Sequence, residues 1–310
     1  SYTVKCLFDK PRIQKIQKVK DTMSNYPSND KRFEGKTIVI TGAGGNFGRE
    51  GCLFFIQRGA RVAAMDKNEA ALAETVAHVC EINAAYKDSI ITVPCDVTDV
   101  SSVESAMESV VERFHCIDLL WNNAGYQGQI KPTLEYDPAD FAAVMNINVT
   151  GMFIVLQSVA KHMVKSSNMS DTSEPKRFAI VNTASVAGLR GTPAMVAYSS
   201  SKAAVLAMTV STAKDLAPFG IRVNAVSPAL IGPGYMWTRQ NELHAASGSP
   251  YFATDPEAVA QGKINSVPMK RLGSVEEVIK SVAFLLSDDS SYTTATNVVV
   301  DGGMSGGLKA

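Results

Sequence analysis

Residues 37–50 read TIVITGAGGNFGRE: a run of mostly apolar, β-branched residues that passes directly into a glycine-rich turn and then into helix formers. Apolar residues on both faces of so short a run describe a strand covered on both sides, as in a parallel sheet. Gly42, Gly44 and Gly48 let the backbone turn tightly and come close to a pyrophosphate without side-chain collision. The helix that opens behind them offers free N–H groups and partial positive charge to that anion. The spacing is GxGxxxG, one residue longer than the usual dinucleotide fingerprint. Taken alone, such a turn reads equally well as a plain strand–helix connection.

Working outward, the same alternation repeats. Further strand candidates are RVAAMD (61–66), IITVPCD (90–96), IDLLWNNAG (117–125), RFAIVNTAS (177–185), IRVNAVSP (221–228) and TNVVVDGG (296–303). Helical segments are expected near 47–58, 68–86, 100–115, 138–165, 194–217 and 274–287. Strand and helix alternating throughout predicts an α/β fold with one doubly wound parallel sheet of about seven strands and helices on both faces. Residues 35–310 read as a single domain. Residues 1–34, polar and lysine-rich with acids mixed in, read as an N-terminal extension. The polar stretch SSNMSDTSEPK (166–176) reads as a surface loop.

Asp66 closes the second apolar run about twenty residues after the glycines, where a carboxylate can accept hydrogen bonds from both ribose hydroxyls. The same charge would repel a 2′-phosphate, which favours NAD over NADP. Asp96, at the end of the third run, is placed to approach the adenine of the same nucleotide. It serves equally well as a helix cap for VTDV.

The chemistry is expected around Tyr198-Ser-Ser-Ser-Lys202. Four residues are about one helical turn, so the phenol and the ammonium share a face and can meet at one point. A phenol titrates near ~10, too high for a base at neutral pH. A neighbouring lysine ammonium favours the phenolate and lowers that value. The tyrosine can then take a proton from an alcohol, or return one to a carbonyl. Ser185 ends the strand before this helix, at the carboxyl edge of the sheet where ligands sit in open α/β folds. There it can hold the substrate oxygen; a turn or cap role is its alternative.

Together these residues resemble the short-chain dehydrogenase/reductase family. The matching stretches are TGAGGNFG (41–48), Asp66, Asp96-Val97, Asn122-Asn123-Ala124-Gly125, Asn148 in NINVTG, Ser185, and Tyr198 with Lys202. They fall in order over about residues 35–304. The resemblance implies a Rossmann-type domain and a catalytic set of Ser185, Tyr198, Lys202 and Asn148, with a water passing protons from Lys202 toward solvent. It implies that NAD is held by Gly42, Gly44, Asn46, Phe47, Gly48, Asp66, Asp96, Val97, Asn123, Ala124, Gly125, Tyr198, Lys202, Ile231 and Thr238. It also implies a homo-oligomer, tetramer or dimer. This chain departs from the family pattern twice. Asn46 stands at the middle glycine, where its tolerance of left-handed angles would preserve the turn. Pro228-Ala229 replaces Pro-Gly, so the threonine near the nicotinamide carboxamide would be Thr238 after an insertion.

The long connection 229–270 carries Tyr235, Trp237, Tyr251 and Phe252 and is placed to cover the nicotinamide. Its aromatics would pack either the lid or a subunit interface. Tyr126, Gln127, Gln129, Leu189 and Arg190 would also approach the substrate, though a loop arginine is more often solvated. The segments NNAGYQGQIKPT and VNTASVAGLRG look most similar to family members that act on cyclic ketones, cyclic alcohols or dihydrodiols. A 3-oxoacyl thioester reductase and a hydroxysteroid dehydrogenase are alternatives in the family. A non-catalytic NAD(H) sensor is the alternative outside catalysis.

Thirty basic residues against thirty acidic ones leave no net charge, so nothing favours nucleic acid or an anionic membrane surface. Five widely spaced cysteines without a CxxC pair fit a reducing compartment, and cytoplasmic residence is expected. The four histidines, His78, His115, His162 and His244, are scattered, and none pairs with a cysteine at ligand spacing, so no metal is expected. No apolar run of ~18–20 residues is apparent, and no membrane span is expected.

Overall fold

The computed structural model describes residues 30–168 and 177–306. Most of the N-terminal segment and most of the 166–176 loop lie outside the described residues.

Seven parallel strands form one sheet: β1 (Thr37–Thr41), β2 (Arg61–Asp66), β3 (Ile90–Pro94), β4 (Leu119–Asn122), β5 (Phe178–Thr183), β6 (Ile221–Pro228) and β7 (Asn297–Val300). Their order is β3-β2-β1-β4-β5-β6-β7, which places β1 and β4 side by side at the point where the winding reverses. In an open α/β sheet that reversal opens a crevice at the carboxyl ends of the strands. The expected Rossmann-type architecture of about seven strands is therefore the observed one.

The α-helices among the described residues are α1 (Asn46–Ile56), α2 (Glu69–Ile82), α3 (Val100–Phe114), α4 (Pro138–Met145), α5 (Met152–Asn168), α6 (Ala187–Arg190), α7 (Val196–Leu216), α8 (Tyr235–Ala245), α9 (Pro256–Ser266) and α10 (Val275–Leu286). The strand period of two splits the core into layers. Ile38 and Ile40 of β1 pack with Phe55, Trp121 and Val282 on the α1/α10 face. Val39 packs with Met107, Val155 and Val159 on the α3/α5 face. Gly51 of α1 is a packing glycine: a Cβ there would stand 2.3 Å from Trp121 Cζ3.

The core reaches into the segment read as extension. Phe33 is buried and meets Phe55 edge to face at 5.0 Å. Arg58, nearly buried, pairs with Asp30 at 2.9 Å. Residues 30–34 thus pack with the domain.

The helix expected over 138–165 is one helical rod with a fault in it. Residues Asn146–Gly151 form a π-helical stretch between α4 and α5. From Pro138 to Ser167 this rod is long and apolar enough by composition to cross a membrane, which the sequence reading had not anticipated. Here its stripe of Val155, Leu156, Val159, Ala160 and Met163 packs on the sheet. The connection 229–270, read as loop, contains α8 and α9 instead. Both its ends are fastened at one place: Gly232 N–H donates to Gly273 O at 3.0 Å and Gly273 N–H to Leu230 O at 3.2 Å.

Candidate active site

At the carboxyl edge of the sheet the β1–α1 turn is built by three glycines with different duties. Gly42 has φ +67°, and a Cβ there would lie 3.0 Å from Ala124 Cα. A Cβ on Gly48 would lie 2.3 Å from Gly42 O, so α1 could not approach the turn. A Cβ on Gly44 would lie 2.6 Å from Ala71 Cβ and crowd Asp66. Asn46 is the first residue of α1, following the extended Gly45, and does not adopt a positive φ. The left-handed tolerance of asparagine is therefore not what preserves this turn; the helix simply begins there.

Asp66 stands at the end of β2, where Oδ2 accepts the Gly44 N–H and Oδ1 the Asn68 N–H, each at 3.0 Å. Thr41, unremarked in the sequence reading, ties the floor together. Its hydroxyl accepts the N–H groups of Asn123 (2.8 Å) and Ala124 (2.9 Å) and donates to Asn122 Oδ1 (3.3 Å). A polar residue closing an apolar strand was the available signal. Asp96 makes a local turn, with Oδ1 accepting the Thr98 N–H at 2.9 Å and hydroxyl at 2.7 Å. These bonds hold its carboxyl below its ordinary range. The cap of α3 is Asp99 rather than Asp96. Val97 packs close to Gly151.

Tyr198 and Lys202 rise from α7, one turn apart. Lys202 is 2% exposed and donates to the Thr183 carbonyl at the end of β5 at 2.7 Å, with Nζ 5.6 Å from the Tyr198 ring centroid. Burial pulls the Lys202 ammonium down to about 8. Burial also raises the Tyr198 phenol above its ordinary range, while the Ser185 hydroxyl pulls it back. The expected lowering by the lysine is not the dominant influence in the structure, where burial raises the phenol. Ser185 follows β5 by two residues, and its Oγ accepts the Ala187 N–H at 3.2 Å. It thus serves the turn and the site together.

Asn148 lies within the π-helical stretch, a distortion common at functional sites. It is wholly buried, and its amide is fully engaged. Oδ1 accepts the Tyr126 N–H at 2.7 Å, while Nδ2 donates to Tyr126 O at 2.8 Å and Ser201 Oγ at 3.0 Å. A Cβ on Gly125 would stand 3.2 Å from Asn148 Oδ1 and 3.6 Å from Lys202 Nζ, so the backbone passes between the two.

One cavity of about 870 Å³ runs from Asp66 past Gly42, Asn123 and Gly125 to Ser185, Tyr198 and Lys202. Asn46, Phe47, Ala124 and Ile231 line it as well. Gly44 and Gly48 shape the turn from behind, and Asp96 and Val97 stand outside the lining. Thr238 faces away: it is exposed on α8, its hydroxyl directed back to Gly234 O at 3.5 Å. Of the substrate-side candidates, Tyr126, Gln127, Arg190, Trp237, Tyr251 and Phe252 line the cavity. Gln129, Leu189 and the exposed Tyr235 do not. Arg190 is exposed, as a loop arginine is expected to be, and donates to the Met304 carbonyl.

The sequence reading missed the lid's polar cluster. His244 and Lys263 stand on α8 and α9, nineteen residues apart, and only the packing of those helices brings them together at 3.1 Å. Gln240 of α8 reaches across to Gln127 on the floor at 3.1 Å.

The family model described as enoyl-(acyl carrier protein) reductase matches residues 42–305. The chain belongs to the short-chain dehydrogenase/reductase family and is an oxidoreductase. It is similar to levodione reductase of Leifsonia aquatica, 35% identical over 91% of this chain and 99% of that protein. It is 34% identical to a 3-oxoacyl-(acyl-carrier-protein) reductase of Thermotoga maritima, over 88% and 99% of the two. The crystal structure of NAD+-bound xylitol dehydrogenase superposes with a TM-score of 0.82 at 47% identity, covering 88% of this chain and 100% of that one.

Proposed function

We propose that the chain interconverts a secondary alcohol and a ketone with NAD(H), using Tyr198 as the general acid and base. The observation that carries this reading is the single cavity joining Asp66 to Ser185, Tyr198 and Lys202. Its nucleotide end fits a dinucleotide: a glycine cradle that any Cβ would fill, a helix N-terminus, and a carboxylate at the end of β2. Gly42, Phe47, Asp66, Asn123 and Ile231 would hold it. The Asp66 carboxylate favours NAD, because a 2′-phosphate would bring like charge against it. When bound, the nicotinamide supplies or accepts the hydride, and its oxidised form adds a positive charge that favours phenolate.

The protein's own groups handle the proton. Tyr198, holding its proton, donates it to a ketone oxygen; Ser185 steadies that oxygen by hydrogen bonding. Lys202, pinned to the Thr183 carbonyl, keeps a cation beside the phenol and stabilises the phenolate that remains. Asn148 acts by position: its amide is spent on Tyr126 and Ser201, so it holds the loop rather than carrying the proton.

The likeness to levodione reductase supports a cyclic ketone or alcohol as substrate. A polyol is the second reading, supported by the polar lid and by the likeness to xylitol dehydrogenase. The described cysteines, Cys52, Cys80, Cys95 and Cys116, are free thiols, which supports a reducing compartment such as the cytoplasm. Assembly as a homo-oligomer, dimer or tetramer, completes the proposal.

Tyr198→Phe tests the mechanism. Turnover should fall by ~10²–10⁴, while NADH still binds by fluorescence titration. Turnover that survives the exchange refutes the assignment.

A further inference from the structure

The lid holds a buried pair of polar groups that the hydride chemistry does not use. His244 is 2% exposed, lines the cavity, and its Nε2 has no hydrogen-bond partner among the described residues. Its Nδ1 lies 2.7 Å from the Gln240 carbonyl. That is a hydrogen-bond distance only when Nδ1 carries the proton. Burial and the neighbouring Lys263 hold the ring pKa down at about 4, so the imidazole is neutral. Nε2 is therefore a bare acceptor, buried on a residue that lines the cavity.

Lys263 supplies the complement. Its Nζ donates to Asn241 Oδ1 at 2.7 Å, and its aliphatic stem carries the charge between the rings of Trp237 and Phe252, 5.5 and 6.0 Å from their centroids. It forms no salt bridge with a carboxylate among the described residues, and burial alone lowers its pKa, to about 8. The ammonium has three N–H groups and remains a donor. The donor Lys263 Nζ thus stands beside the same imidazole, 3.1 Å from its Nδ1.

We propose that His244 and Lys263 form a subsite for a second hydroxyl of the substrate, remote from the carbinol that reacts at Tyr198, so that the preferred substrate is a polyol. A hydroxyl is the group that satisfies both partners, accepting from the ammonium while donating to Nε2. A carboxylate offers only acceptor lone pairs; it would suit Lys263 but face the lone pair of Nε2. A ring or chain without a second hydroxyl would leave His244 Nε2 without a partner and Lys263 Nζ with spare donors, which disfavours it. Gln240, bonded to Gln127, fastens this part of the lid to the floor beside Tyr126, so the subsite is held at the substrate end of the cavity. The assignment rests on the proposed alcohol–ketone chemistry and names its substrate class.

Two measurements test it separately from that chemistry. In the first, kcat/KM is measured with NAD+ for xylitol against 3-pentanol, myo-inositol against cyclohexanol, and xylonate as the anionic probe. The polyol member should lead its pair, and Lys263→Met or His244→Phe should cut the polyol-to-monoalcohol ratio at least tenfold, chiefly through KM. In the second, xylitol and myo-inositol are titrated calorimetrically into the Tyr198→Phe protein loaded with NAD+, where binding is read without turnover. Adding Lys263→Met should weaken polyol binding at least tenfold, with NADH binding and melting temperature verifying the fold of each variant. Tyr198-dependent turnover whose polyol ratio ignores both substitutions overturns the subsite and leaves the chemistry standing. Polyol binding that depends on Lys263 and His244, with turnover indifferent to Tyr198, does the reverse. A preference for xylonate, or no polyol binding at all, overturns the subsite.

Discussion

The floor of the cavity and its lid are built on opposite principles. The floor is strand ends and backbone: Gly42, Asp66, Asn123 and Lys202 are each held by main-chain groups or by contacts of a few ångströms with backbone. The lid is two helices fastened at Leu230, Gly232 and Gly273, and it meets the floor through side chains such as Gln240 on Gln127. Rigid backbone suits the proposed binding of a constant cofactor and placing of a proton donor. Side chains on an added segment suit the proposed selection of a substrate.

The largest expected effect lies in the lid and is driven by pH. The His244 pKa of about 4 sits below the ordinary histidine value of 6.5, so an opened or unfolded chain takes up the proton first. Stability from the closed lid is fully present above about pH 6.5 and is lost as pH falls toward 4, by roughly 3 kcal/mol at the limit. Hydrogen exchange of α8 and α9 should accelerate through that window while β1 and β5 stay protected. His244→Phe should flatten the dependence, and uniform acceleration of lid and floor would erase the contrast between them.

Next comes the floor's intolerance of bulk. Gly48→Ala sets a Cβ against the Gly42 carbonyl, backbone against backbone, and should cost ~1–3 kcal/mol in a denaturant melt. A neutral result would show that the turn yields. A smaller effect is expected at Asp66. Asp66→Asn removes the charge but keeps the shape, and the ratio of kcat/KM for NAD+ over NADP+ should fall by about tenfold, roughly 1.4 kcal/mol. An unchanged ratio would remove Asp66 from cofactor choice. The smallest effect belongs to Thr238, which faces solvent. Thr238→Val should change stability by less than ~0.5 kcal/mol and leave the KM for NAD+ within about twofold, some 0.4 kcal/mol. A large rise in KM would mean that α8 turns inward when the cofactor binds.

Legibility in the sequence follows the same division. Strands β1, β2 and β6 begin and end where the apolar runs do, because a strand covered on both faces must be apolar along its whole length. The turn glycines, Asp66 and the Tyr198–Lys202 pair were legible because each depends on spacing within one strand–turn–helix or one helical turn. Asn148 was legible as a family residue, but its means of action was not. The π-helical fault that carries it leaves no local signature in NINVTG.

What the sequence determined by itself was therefore the sheet, the glycine turn with Asp66 and the Tyr198–Lys202 pair, all set by periodicities of two and about four residues. What only the tertiary structure decided was the lid. The region 229–270 has weak helical amphipathicity and read as loop, since α8 and α9 pack largely on each other rather than presenting one apolar stripe to the sheet. The meeting of His244 with Lys263, the outward turn of Thr238 and the inward turn of Trp237 all depend on how those two helices dock. Docking is a long-range balance of packing and desolvation that no short window of residues encodes.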